Sequence, residues 1–305
     1  MNYHIIIIDS LSHWRDYFAL CKPKIVSLIV FTAVVGMFLS TPGMVPLSAL
    51  VFGTLGIGLA AASAAAINHV VDYKIDSVMA RTMRRPLPKG HIGMQGAILF
   101  AFLLGAMAMV ILTYFVNVLT AVLTALSLIG YGFVYSMFLK RATPQNIVIG
   151  GAAGAAPPVL GWTAVTGTLD PQSLLLFLII FAWTPPHFWA LAIYRCKDYA
   201  SVDIPMLPVT HGVEYTRLHI LLYTIVLFII TLLPYITYMS GPVYLAGAVL
   251  LGGGFLYYAI RMQFDHSDRL AMKTFAYSIV YLMALFALLL IDHYVPAIIA
   301  LFVSR

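Results

Sequence analysis

LSALVFGTLGIGLAAASAAAINHVVDYKIDSVMARTMRRPLPKG, residues 47–90, runs from an unbroken apolar stretch directly into a cluster of ionisable side chains. A helix over residues 47–67 is long enough to cross a hydrocarbon core, for which about 20 residues suffice. The continuation has the opposite character: Asn68, Asp72 and Asp76, then Arg81, Arg84, Arg85 and Lys89. On a continuous helix the Asn and the two Asp stand at i, i+4 and i+8, drifting only about 80° while climbing about 12 Å. They form a polar stripe whose oxygens suit a hard cation such as Mg²⁺. The arginines beyond it carry donors that clamp phosphate oxygens, so the pattern points to chemistry on a doubly charged anion at a membrane face. A helix end wetting itself would also use Asp and Asn, and basic residues there also anchor topology. Three oxygen ligands in register with an arginine cluster exceed what solvation needs.

Working outward, the whole chain reads as a polytopic membrane protein. Apolar residues make up 62% and charged residues only 9% of the 305, which excludes a soluble globular enzyme or scaffold. Windows of about 20 residues give nine spans, at roughly 24–40, 47–67, 93–114, 117–139, 146–166, 174–194, 218–239, 242–261 and 273–293. Sixteen of the seventeen Lys and Arg residues fall on one side of that map, and only Arg305 falls opposite. The positive-inside rule makes the crowded side cytoplasmic, with the N-terminus and both acidic clusters inside and the C-terminus outside. The net charge of +6 follows from these topology signals rather than from a nucleic-acid surface. Residues 1–20 read as an N-terminal cytoplasmic segment without a removable signal, and a bacterial plasma membrane is the expected setting. Cys21 and Cys196 have no partner spacing for a disulfide or a thiolate metal site.

The second polar cluster, YRCKDYASVDIPMLP at 194–208, follows the sixth span as the first follows the second. Each lies at the cytoplasmic end of the second helix of a four-helix unit, which divides a single domain over 1–305 into parallel halves, about 21–140 and 141–262, with the ninth helix about 273–293 outside them. Parallel repeats of this kind place a binding site at their interface. Asp198 is a candidate metal ligand. Asp203, about 140° away on a helix, reaches the same site only if the chain bends, which Pro205 and Pro208 favour. Lys197 either meets the anion or snorkels. Deeper in the bilayer, His187 follows Pro185-Pro186, about 16 Å along a helix from Asp198. It is either a functional residue or a packed one, and His69 is expected to point away from the acidic stripe.

Five ordered stretches carry a family resemblance: CKPKIVSLIVFTAVVGMFL (21–39), NHVVDYKIDSVMARTMRRPLP (68–88), GGAAGAAPPVLGWTAVTG (150–167), TPPHFWALAIYRCKDYASVDIPMLP (184–208) and THG (210–212). The chain resembles the UbiA superfamily of intramembrane prenyltransferases, and within it the haem-farnesylating branch. One departure from the wider superfamily is Val202, where a second acid usually completes DxxxD after Asp198. The resemblance implies an all-α bundle of about nine transmembrane helices around a central cavity with cytoplasmic cap loops. It implies transfer of the farnesyl group of farnesyl diphosphate to a vinyl group of haem B, with addition of water, giving haem O and diphosphate. It further implies Mg²⁺ on Asn68, Asp72, Asp76 and Asp198, with catalysis by Asp72, Asp76 and Asp198. The diphosphate would be held by Asn68, Arg81, Arg85 and Lys197, and haem by His187. The lipid bilayer is the expected surround, with hand-over of product to a haem A-forming enzyme or a terminal oxidase assembly. Two alternatives stay open: a prenyltransferase using another aromatic or chlorin acceptor, and an ion or solute transporter, which would place charges at mid-bilayer.

Overall fold

Apolar runs that cannot hydrogen-bond to lipid must satisfy their backbone internally, and the chain does so with helices. The computed structural model describes residues 14–265 and 267–303, with side chains described as far as Val295; the segment 1–13 and Arg305 lie outside the described residues. In chain order the helices are α1 (Trp14–Leu20), α2 (Pro23–Leu39), α3 (Ala49–Val71), α4 (Tyr73–Val78), α5 (Met94–Phe115), α6 (Val118–Ala142), α7 (Asn146–Thr166), α8 (Pro171–Tyr194), α9 (Cys196–Ala200), α10 (Leu207–Thr210), α11 (Val213–Ile236), α12 (Pro242–Phe264) and α13 (Asp268–Val303). Among the described residues eight helices are long and apolar enough to cross a membrane singly, and α1 with α2, bent by 52°, supplies a ninth span. Eight of the nine expected spans are thus single helices, and the first, 24–40, falls on the bent pair. The last is longer than the expected 273–293, because α13 continues in one piece to Val303.

The turn residues act where their chemistry requires. Gly167, at φ 70°, ends α7 in the left-handed conformation that disfavours side chains. Pro157 restarts α7 halfway, where its missing N–H costs least. The helices close into a ring, since α2 packs against both α3 and α13. Within it α2 and α7 meet backbone to backbone: a Cβ on Gly36 would collide with Pro158, and one on Gly161 with Ala33. The most enclosed spans are α3, α7 and α8. Two of these three end in the acidic clusters, so the best-fixed elements of the bundle carry the polar chemistry. Residues Gly130–Leu139 of α6 are wound as a π-helix, a rare geometry that rotates the end of α6, and with it Lys140, relative to a regular helix.

Candidate active site

The first acidic segment is a helix end bent at one of its own acids. α3 stops at Val71, Asp72 adopts φ −82° and ψ 1°, and α4 begins at Tyr73. The expected continuous helix is thus jointed at Asp72, because the backbone there leaves the helical ψ. Register survives the joint, with Asp72 N donating to Asn68 O at 3.0 Å and Asp76 N to Asp72 O at 2.8 Å. Asn68, Asp72 and Asp76 are all buried, at 6, 3 and 4% exposure. Buried carboxylates require partners. Lys140 Nζ stands 2.5 Å from Asp72 Oδ2, and Arg85 Nη1 2.5 Å from Asp76 Oδ2. Lys22 Nζ donates to Asn68 Oδ1 at 2.6 Å, while Asn68 Nδ2 donates to Asp72 Oδ2 at 3.0 Å and to Ser136 Oγ at 3.3 Å. Lys22 occupies the joint between α1 and α2 at φ 49°, a left-handed conformation uncommon for a residue with a side chain.

The second segment meets the first through a shared apolar layer. Ile75 and Met79, following Asp72 and Asp76, pack in one cluster with Tyr199, Val202, Ile204 and Met206, which surround Asp198 and Asp203 in sequence. Burial pushes the Tyr199 phenol up, against the pull of Arg81 from the first segment and Arg195 from the second. Residues more than a hundred positions apart therefore act on one group. Asp198 is half-buried and accepts from Arg195 Nη1 at 3.3 Å. Asp203 is exposed at φ 52°, on the turn after α9.

Other residues singled out from the sequence are placed as follows. Arg81 and Arg84 are exposed, the guanidinium of Arg81 lying against Met79 Sδ, and Lys197 is exposed on α9. His187 sits within α8 with its ring between Trp183, 4.1 Å away between centroids, and Phe275, 4.6 Å away. Its Nδ1 is 2.6 Å from Ser278 Oγ. Sequence reasoning missed Lys140, Lys22 and Ser136 as members of the cluster. It also misplaced His69, which is buried beside Asp76 rather than turned away from the acids, with Nδ1 3.9 Å from Asp76 Oδ2. The signals were present only faintly, since Lys22 and Lys140 each stand at the cytoplasmic end of a span, where an anchor looks the same. Among the described residues no three His, Cys, Asp or Glu side chains stand together as a ready cation cage. Asp72, Asp76 and Asp198 are instead each held by a basic side chain of the chain itself. Among the described residues the buried Asp72 Oδ1 has no hydrogen-bond partner.

Residues 29–286 match the model of the UbiA prenyltransferase family. The chain belongs to the UbiA prenyltransferase family. Among relatives of this family member, the protoheme IX farnesyltransferase of Methylococcus capsulatus is 63% identical over 282 residues, 92% of this chain and 95% of the relative. That of Nitrosococcus oceani is 60% identical over 95% of this chain and 97% of its own length. Solved UbiA-family structures share the fold at far lower identity. A digeranylgeranylglyceryl phosphate synthase superposes with a TM-score of 0.78 at 17% identity, over 92% of this chain and 99% of its own. A UbiA homologue from Archaeoglobus fulgidus, bound to GPP and Mg²⁺, superposes with a TM-score of 0.61 at 17% identity, over 90% of this chain and 99% of its own.

Proposed function

We propose that this chain joins the farnesyl group of farnesyl diphosphate to a vinyl group of haem B, adds water, and releases haem O and diphosphate. The observation that carries the reading is the meeting of two acidic segments, remote in sequence, in one apolar layer, with Arg81, Arg85 and Arg195 around its Tyr199 and with Lys22, Arg85 and Lys140 on the polar side chains of the first segment. The names of the 60%-identical relatives give the acceptor.

A hard cation fits the donors present. The buried Asp72 Oδ1 lacks a partner, and the surrounding ligand atoms are oxygens of Asn68, Asp72 and Asp76. Mg²⁺ held by these residues, with Asp198 from the second segment, would neutralise charge on the leaving diphosphate. The chain's own residues do the rest by exchanging partners. Lys140, Arg85 and Lys22 hold Asp72, Asp76 and Asn68; a diphosphate, carrying more charge, draws their ammonium and guanidinium groups onto its own oxygens. Arg81 and Lys197, exposed beside the layer, close on the same anion. The C–O bond of the allylic diphosphate then breaks with both electrons leaving on oxygen. The vinyl carbon of haem B supplies the electron pair of the new C–C bond, and the resulting cation takes the oxygen of water and loses a proton. The apolar walls of the bundle keep water from the allylic cation before the vinyl group reaches it. His187, with Nδ1 fixed by Ser278, offers Nε2 to the haem.

The cluster faces the cytoplasm of a bacterial plasma membrane in this reading, and the two halves of a single domain each contribute one acidic segment. The product passes to an enzyme that forms haem A or to a terminal oxidase. The test is incubation of membranes bearing the protein with haem B, farnesyl diphosphate and Mg²⁺, followed by mass analysis of extracted haem. A mass gain of one farnesyl group plus one hydroxyl, C15H26O, is expected, the second hydrogen of the water having left as a proton. Farnesylation of a different added acceptor, with haem B unchanged, would overturn the assignment.

A further inference from the structure

His69 lies beside Asp76 but makes no hydrogen bond there: it is 4% exposed, and among the described residues neither Nδ1 nor Nε2 has a hydrogen-bond partner. Buried polar groups are nearly always paired, so an imidazole with both nitrogens unfilled calls for an explanation. Its surroundings supply one. Nδ1 stands 3.9 Å from Asp76 Oδ2, the same oxygen that Arg85 Nη1 holds at 2.5 Å. Lys22 donates to Asn68, the residue before it, and Arg85 holds the Asp76 oxygen nearest its ring, so His69 belongs to the charged cluster and not to the lipid-facing wall.

We propose that His69 is a positioning residue whose Nδ1–H donates to Asp76 Oδ2 when a diphosphate draws Arg85 away. The inference rests on the diphosphate site proposed above. Once Arg85 turns to the phosphate, Asp76 would be left buried without its donor, and His69 is the neighbour poised beside that oxygen. The gap is about 1 Å beyond hydrogen-bond length, a distance that a side-chain rotation closes. The chemistry also favours a neutral donor in the liganded state. A guanidinium on Asp76 cancels the negative charge that a hard cation needs, whereas an imidazole N–H fixes the carboxylate and leaves its charge intact. Arg85 and His69 thus exchange on one oxygen, His69 taking it as Arg85 turns to the phosphate.

The test uses the purified full-length chain in detergent, Mn²⁺ as a spin-resonance probe in place of Mg²⁺, and inorganic diphosphate as the anion. His69→Leu is expected to weaken Mn²⁺ binding in the presence of diphosphate about tenfold, the scale of losing a partner of a ligating carboxylate. His69→Asn, whose amide nitrogen replaces Nδ1, is expected to restore affinity to within about threefold, and His69→Gln, which replaces Nε2, to fall short of it. Should His69→Leu fail to fold, the comparison of Asn with Gln decides. Gln binding as tightly as Asn, or Leu binding within twofold of wild type with an unchanged melting curve, overturns the proposal. Asp76→Asn is the control for the underlying site: unchanged Mn²⁺ binding in that variant would remove the metal site itself, a failure distinct from that of His69 alone.

Discussion

The two ends of the bundle both bury carboxylates, and they treat them differently. At the end opposite the candidate site, Asp292 on α13 accepts from Ser240 Oγ at 3.0 Å, from Tyr244 N at 3.1 Å and from Gly241 N. It caps the start of α12, where unpaired N–H groups and the helix dipole favour an anion. Its partners are mainly backbone groups that cannot leave. At the other end Asp72 and Asp76 are held by Lys140 and Arg85, long flexible side chains, and one Asp72 oxygen is unfilled. A structural acid has its lone pairs filled by fixed donors; an acid kept for chemistry has donors that can be drawn elsewhere.

Substitutions can break this contrast. The largest effect is expected from Asp72→Asn, which keeps the shape and the contacts to Asn68 and Lys140 but removes the charge. Haem O formation should fall by at least about 10³-fold with the protein still monodisperse in detergent. Turnover near wild type would take Asp72 out of the mechanism. Lys140→Met should raise the KM for farnesyl diphosphate by about tenfold, since an interaction with the anion made in ground and transition states alike is lost. A fall confined to kcat would instead place Lys140 at the transition state. Asp292→Ala should act on stability alone, costing about 2–4 kcal/mol through stranded donors at the α12 cap. Activity per folded molecule, checked against a thermal melt, should stay within about twofold. Arg84→Ala, at a position that is exposed and has no acidic partner among the described residues, should change neither activity nor melting by a measurable amount. A large activity loss there would extend the clamp beyond Arg81 and Arg85.

The same contrast explains what could be read from the sequence. The spans were legible because a membrane imposes one length on every apolar run, and Lys and Arg mark one face of all of them. Asn68, Asp72, Asp76 and Asp198 stood out because charge at a span end is conspicuous. The partners of these acids were not legible, since Lys22 is 46 positions from Asn68 and Lys140 is 68 from Asp72. Only the closing of the ring and the π-helix of α6 bring them together. The joint at Asp72 and the inward turn of His69 were hidden for a related reason. Helical periodicity alone treats α3 and α4 as one rod, and the packing of Ile75 and Met79 against the 199–206 segment bends it.

The central claim is that both acidic segments serve one diphosphate. A structure of the protein with Mn²⁺ and a non-hydrolysable thio analogue of farnesyl diphosphate tests it directly. The account expects manganese, seen by anomalous scattering, within about 2.2 Å of carboxylate oxygens from Asp72 or Asp76 and from Asp198. It also expects Arg85 moved from Asp76 onto the phosphate. Diphosphate bound against one segment alone, with the other still closed on its own arginine, would contradict it.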